Sequence, residues 1–172
     1  MIKLLVTAAL LALSAPARAD WTHSPDDPYP QPRLTAMSVE LLGRGGLYTL
    51  NVDHMLSDQF AVGVGFSYWT LSDLFSTINV LIIPVYGNFY FNTGPHRAYL
   101  TGGLDIAYVS ASDTSGLGDG LGSITASGVG VVLGGGYEFR GDGGFLFRAS
   151  PYFVIGSGGV AVTGGLSFGY AF

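Results

Sequence analysis

The sequence predicts an all-β fold, an eight-stranded antiparallel up-and-down transmembrane β-barrel, and three observations carry that expectation. The first is the closing stretch 160–172, VAVTGGLSFGYAF, where Val160, Val162, Leu166, Phe168, Tyr170 and Phe172 share one parity and small residues fill the other. Neither face carries a charge, as suits a strand turned to lipid rather than to water. The second is composition. The chain is 48% hydrophobic and only 11% charged, whereas a soluble domain carries about 25% charged residues. Beyond residue 19 no segment reaches the ~18–20 continuous apolar residues of a membrane helix. The third is a succession of eight strand-like segments separated by turn signals. High apolar content without a helix-length run is how a barrel that satisfies its backbone between strands reads in composition.

Taken in order, residues 1–19 read as a secretory signal peptide: a positive start at Lys3, an apolar run over 4–13 and the cleavage pattern Ala17-Arg18-Ala19. The apolar run is half the ~20 residues of a membrane anchor. Removal at Asp20 takes away the single lysine. The remainder then holds five arginines against twelve acids, which argues against a nucleic-acid partner. With no cysteine in the chain, a disulfide framework, a thiolate metal site and a lipidated cysteine are excluded. Residues 20–36 (DWTHSPDDPYPQPRLTA) are proline-rich and read as an extended periplasmic lead-in. A proline-rich tail cannot hold His23, Asp26 and Asp27 in the fixed geometry a metal site needs.

The barrel is expected over 37–172, with strands near 37–43, 46–56, 59–71, 78–91, 98–110, 124–139, 145–155 and 160–172. Most reach the ~9–11 residues that cross a bilayer when tilted. Compact turns fall at 56–58, 92–97 and 140–144; between them lie 72–77 and the glycine-rich stretch 111–123. Short periplasmic turns and longer outer loops are the pattern of outer-membrane barrels, which puts both termini and the compact turns in the periplasm. The connections 43–46 and 156–159 are shorter than that pattern suggests.

Aromatic residues support the same arrangement. Phe60, Phe89, Phe91, Tyr137, Phe139, Phe145, Phe147, Tyr170 and Phe172 cluster beside the compact turns, and Tyr48, Tyr68, Tyr108 and Phe153 lie at the opposite strand ends. Two interfacial girdles account for this better than a soluble core, which would place the rings mid-strand. The other parity is the lumen, lined by small residues and a few large polar ones. Its polar network is expected to comprise Glu40, Asp53, Asp105, Glu138 and Arg148, with Asn51, Tyr99 and Tyr152 nearby. An eight-stranded barrel is just wide enough to be filled by such side chains. One arginine among four carboxylates is an imbalance, since unpaired buried charge is costly. Pro84 is read as marking a bulge after Ile83 that flips the parity of its strand.

The signal peptide, the opening Val39-Glu40-Leu41-Leu42-Gly43-Arg44-Gly45-Gly46-Leu47-Tyr48 and the closing Ser167-Phe168-Gly169-Tyr170-Ala171-Phe172 together resemble the small outer-membrane β-barrel domain proteins of Gram-negative bacteria. The resemblance implies a fold and a location in the outer membrane, among lipid and lipopolysaccharide. It also implies that Phe168, Tyr170 and Phe172 form the signal read by the barrel-assembly machinery. Members include structural barrels, adhesins, small-molecule conduits and lipid-modifying enzymes, so the fold does not choose among roles.

Barrel enzymes acting on lipid A use a histidine with a serine and an acid near the outer leaflet. Here His23 lies in the lead-in, His96 in a turn and His54 near the periplasmic end of its strand, so no catalytic site is expected, and no cofactor. Arg140-Gly141-Asp142 makes a glycine-rich turn, and 116–123 (GLGDGLGS) lacks the lysine of a phosphate loop. Asp113 and Asp119 are a minor cation option. The expected role is structural or surface interaction through the loop 111–123, with the extracellular partner unspecified. A narrow conduit for small solutes or apolar molecules is the alternative.

Overall fold

A computed structural model describes residues 33–72, 76–113 and 124–172. The signal segment 1–19, the lead-in up to residue 32 and most of the loop 111–123, with Asp119, lie outside the described residues. Eight strands follow in sequence: β1 (Thr35–Leu41), β2 (Tyr48–Met55), β3 (Phe60–Ser72), β4 (Ser76–Tyr90), β5 (His96–Asp113), β6 (Ile124–Arg140), β7 (Phe145–Gly156) and β8 (Gly159–Ala171). Each pairs antiparallel with its neighbour, and β8 returns to β1 to close the barrel. The seam is held at its lower end by reciprocal backbone bonds between Thr35 and Phe172.

Strict alternation in sequence becomes alternation in space. Odd positions of β8, such as Ser167 and Ala171, are buried, whereas Leu166, Phe168 and Tyr170 face outward. Closure staggers the strands. A path from Ala36 runs across paired residues Asp53, Gly63, Tyr86, Gly103, Val132 and Val154 to Ala161, yet Ala36 itself faces Ala171, ten residues further along β8. Such a shear accompanies strands tilted by roughly 35–45°. Strands β5 and β6 are 18 and 17 residues long, well beyond the ~9–11 needed to cross a bilayer, and stay paired up to Ala111 and Ile124. The upper ends of β5 and β6 thus form a β-ribbon that extends past the apolar band.

Strand limits and the role of Pro84 differ from the sequence reading: β4 begins at Ser76 and β5 runs from His96 to Asp113, each longer at its upper end than expected. The first strand begins at Thr35, inside the stretch assigned to the lead-in and beside the alternative start near Leu34 that its shortness suggests. Pro84 marks no bulge. The pairing of β4 with β5 is continuous through Pro84↔Asp105, and the register with β3 is the same above (Ser67↔Ile82) and below (Val64↔Val85). The parity of β4 never flips. The missing proline N–H is accommodated by a gap in the β3–β4 ladder where Gly65 stands opposite. Pro151 behaves alike: it pairs with Gly164 on β8, while the ladder to β6 skips Gly135 and Gly136. A proline removes one ladder bond, and no extra residue is needed to absorb that loss.

Candidate functional site: the ionic column of the lumen

The inward faces of five strands converge on Arg148, whose side chain in β7 is only 2% exposed. Its Nε donates to Glu138 Oε2 at 2.6 Å and its Nη1 to Asp53 Oδ2 at 2.5 Å, and Nη2 reaches the Tyr90 hydroxyl at 3.3 Å. Glu138 is further held by the Tyr90 hydroxyl at 2.8 Å and by Arg140 Nε at 3.2 Å. Asp53 receives the Tyr86 hydroxyl on its other oxygen. Every oxygen of these two carboxylates therefore has a donor, which is what makes burial of the charges tolerable.

A second cluster lies towards the opposite end. Arg44 Nε donates to Glu40 Oε2 at 3.3 Å and Nη2 to the Tyr152 hydroxyl at 2.9 Å, while that hydroxyl donates to Glu40 Oε1 at 2.5 Å. The Arg44 guanidinium also sits 3.7 Å above the Tyr86 ring. Tyr86 thus joins the two clusters, its face to one arginine and its hydroxyl to the aspartate of the other. The result is a continuous column of side chains along the lumen.

Local sequence explains how Arg44 gets there. The β1–β2 connection contains Leu42 at φ 58° and folds back over Glu40, so that a Cβ on Gly43 would overlap the Glu40 carboxyl group. The Gly-Arg-Gly-Gly run lets the backbone drop into the barrel mouth and carry Arg44 inward. Sequence reasoning placed this arginine in an outer connection and Arg140 in a turn. Three buried arginines, not one, face the four carboxylates, which removes most of the expected imbalance. Tyr86 and Tyr90 were likewise missed, although both follow the inward parity of β4.

Of the residues expected in the network, Asp53, Glu138 and Arg148 are brought together, and Glu40 joins the second cluster. Asp105 joins neither: it is buried opposite Pro84, and its Oδ1 has no partner. Phe168, Tyr170 and Phe172 are about half exposed on the outer face, where Phe168 packs on Phe147 with ring centroids 5.3 Å apart. His54 Nδ1 meets the Thr35 hydroxyl at 3.0 Å, and His96 meets Tyr137 at the turn end of the outer face. Among the described residues no group of three His, Asp or Glu side chains could hold a metal ion.

Close packing of the column makes it sensitive to added volume. A Cβ at Gly63 would fall 2.5 Å from both Asp53 Oδ1 and the Tyr86 ring. Gly63→Val is expected to separate Tyr86 from Asp53 and destabilise the barrel by about 1–3 kcal/mol. Urea titration in detergent against the parent checks this; an unchanged midpoint would mean that the lumen has slack at this level.

A closed, eight-stranded antiparallel barrel with an apolar outer face and a polar interior crossed by bonded side chains defines the class: an integral membrane β-barrel of the outer-membrane type. Solved structures agree on the fold. The N-terminal β-barrel domain of Pseudomonas aeruginosa OprF superposes with a TM-score of 0.62 at 17% identity, covering 81% of this chain and 98% of that one. Ail, the attachment invasion locus protein of Yersinia pestis, in complex with the heparin analogue sucrose octasulfate, gives 0.51 at 18% identity over 81% and 94%. Neisserial surface protein A gives 0.50 at 16% identity over 80% and 93%. No family model matches the chain, and no curated protein matches it.

Proposed function

We propose that this protein is exported by the signal peptide 1–19, reaches the outer membrane through the barrel-assembly machinery, and serves there as a structural or surface-interaction barrel without catalytic activity. The observation that carries the reading is the ionic column. Side chains from β1, β2, β4, β6 and β7 and the β1–β2 connection bond to one another across the lumen, so the interior is committed to holding the wall together. What remains for contact with partners is the ribbon of β5 and β6 and the loop it carries. Lipid and lipopolysaccharide would surround the apolar band, where Leu50, Phe66, Leu104, Val129 and Val162 are exposed.

The test is sidedness. In this cysteine-free chain, Gly118→Cys should react with an impermeant thiol reagent on intact cells and Asp142→Cys should not. Equal labelling, or labelling at 142 alone, would invert the topology and move the Arg140-Gly141-Asp142 turn to the surface. A narrow conduit is the second reading. It is favoured by buried polar atoms that lack a protein partner, on Ser38, Asn51, Asn88 and Asp105, since such atoms are ordinarily satisfied by water.

A further inference from the structure

The turn end of the barrel holds a pocket outside the column. About 60 Å³ in volume, it is bounded by Arg33, Arg97 and Arg140, with Ser57, Asp58 and Thr93 around them. A single water needs only ~10–15 Å³ measured in this way, so the pocket has room for a small polyatomic group. Three arginines line it from different parts of the chain, the residues before β1, the start of β5 and the end of β6, although the Arg33 guanidinium itself lies over the Tyr170 ring, 5.4 Å from its centroid.

Their pairing is unequal. Arg140 gives Nε to Glu138 and Nη1 to the Arg33 carbonyl at 2.9 Å. Arg33 spends Nη1 on the Gly143 and Ala171 carbonyls and the Tyr170 hydroxyl. Arg97 makes no ion pair among the described residues: its Nε donates to the Gly94 carbonyl at 2.7 Å, and its guanidinium carbon lies 5.5 Å from the Tyr90 ring centroid. It is half-buried and within electrostatic reach of Arg140, with Asp58 and Glu138 the acids that act on it. Glu138 is already shared by Arg140 and Arg148, and Asp58 forms no ion pair with any of the three arginines. Leu34 and Met55 form an apolar part of the wall, which strengthens like-charge repulsion there. An anion between the cations would relieve that repulsion. The fork of N–H donors on a guanidinium matches the oxygens of a phosphate.

We propose that the pocket lined by Arg97 and Arg140 is a binding site for a phosphate group, either free or as the headgroup of a phospholipid. Phosphate fits the volume and offers enough oxygens to meet Arg97 and Arg140 at once. The inference rests on the geometry of the pocket and is independent of the sidedness reading.

The protein refolded in a maltoside detergent is titrated with inorganic phosphate by calorimetry, with acetate as the control. In parallel, nanodiscs of phosphatidylcholine with a minor fraction of phosphatidic acid are analysed for lipid retained by the protein. Saturable binding of one phosphate per chain is expected, with acetate much weaker. Arg97→Gln should weaken it about tenfold or more, and Asp58→Asn, which removes the carboxylate of the pocket wall, should tighten it. Phosphatidic acid retained by the parent and lost in Arg97→Gln would assign the group to lipid; binding of free phosphate without lipid enrichment would assign it to the soluble ion. The proposal is overturned if neither probe binds, if acetate binds as well as phosphate, or if folded Arg97→Gln binds like the parent.

Discussion

Arg148→Ala is expected to destabilise the barrel by about 3–5 kcal/mol, the cost of leaving buried charge without its partner. Arg148 bonds Asp53 and Glu138 at once, and among the described residues nothing else cationic reaches Asp53 within ion-pair distance. Glu138 would keep Arg140, so the larger share of the penalty falls on Asp53. Urea unfolding in detergent measures the effect. A loss below about 1 kcal/mol would mean that water reaches the cluster and screens it as it does a surface pair. A companion variant separates charge from volume: Arg148→Met combined with Asp53→Asn, which leaves Glu138 paired with Arg140, should recover much of the loss, because removing both members of a buried pair is far cheaper than removing one.

Removal of Phe172 is expected to reduce insertion into the outer membrane severalfold, far more than Ala171→Gly. The backbone N–H and carbonyl of Phe172 both bond Thr35, at 2.7 and 3.1 Å, across the closing seam between β8 and β1. Its ring stands on the lipid face with Tyr170 and Phe168. A strand edge offers main-chain hydrogen bonds while alternate side chains supply specificity, so this segment is suited both to recognition by an assembly machine and to closing the barrel. The readout is the heat-modifiable folded band in outer-membrane fractions at matched expression. Equal insertion of the truncated chain would leave Phe172 a girdle residue and remove the assembly role.

Much of this fold is legible in sequence because lipid and lumen impose opposite demands on successive residues. A strand such as β8 cannot hide its period of two, and the same parity placed Asp53, Glu138 and Arg148 on one inner wall before any coordinates were known. Parity also held for the outward aromatics from Phe60 to Phe172. What escaped reading lay where the period lapses. Arg44 occupies a connection, and its inward course depends on the backbone at Leu42 and Gly43, which no alternation signals. Arg140 stands at the strand end, where a turn and a lumen residue look alike. Pro84 was misread because a missing N–H was taken to require an inserted residue, whereas a glycine opposite lets the ladder skip one bond in register. The length of β5 is underestimated at both ends: its upper end is polar and small and so resembles loop, and His96 and Arg97 at its lower end resemble turn, whereas β6 begins at Ile124 as expected.

The central claim is that the lumen is filled by a bonded column from Glu40 and Arg44 to Glu138 and Arg140, leaving the barrel a wall and a platform rather than a passage. Single-channel recording of the refolded protein in planar bilayers tests it most directly. The account predicts no stepwise conductance beyond that of protein-free membranes. Reproducible discrete steps would contradict it and establish the conduit in its place.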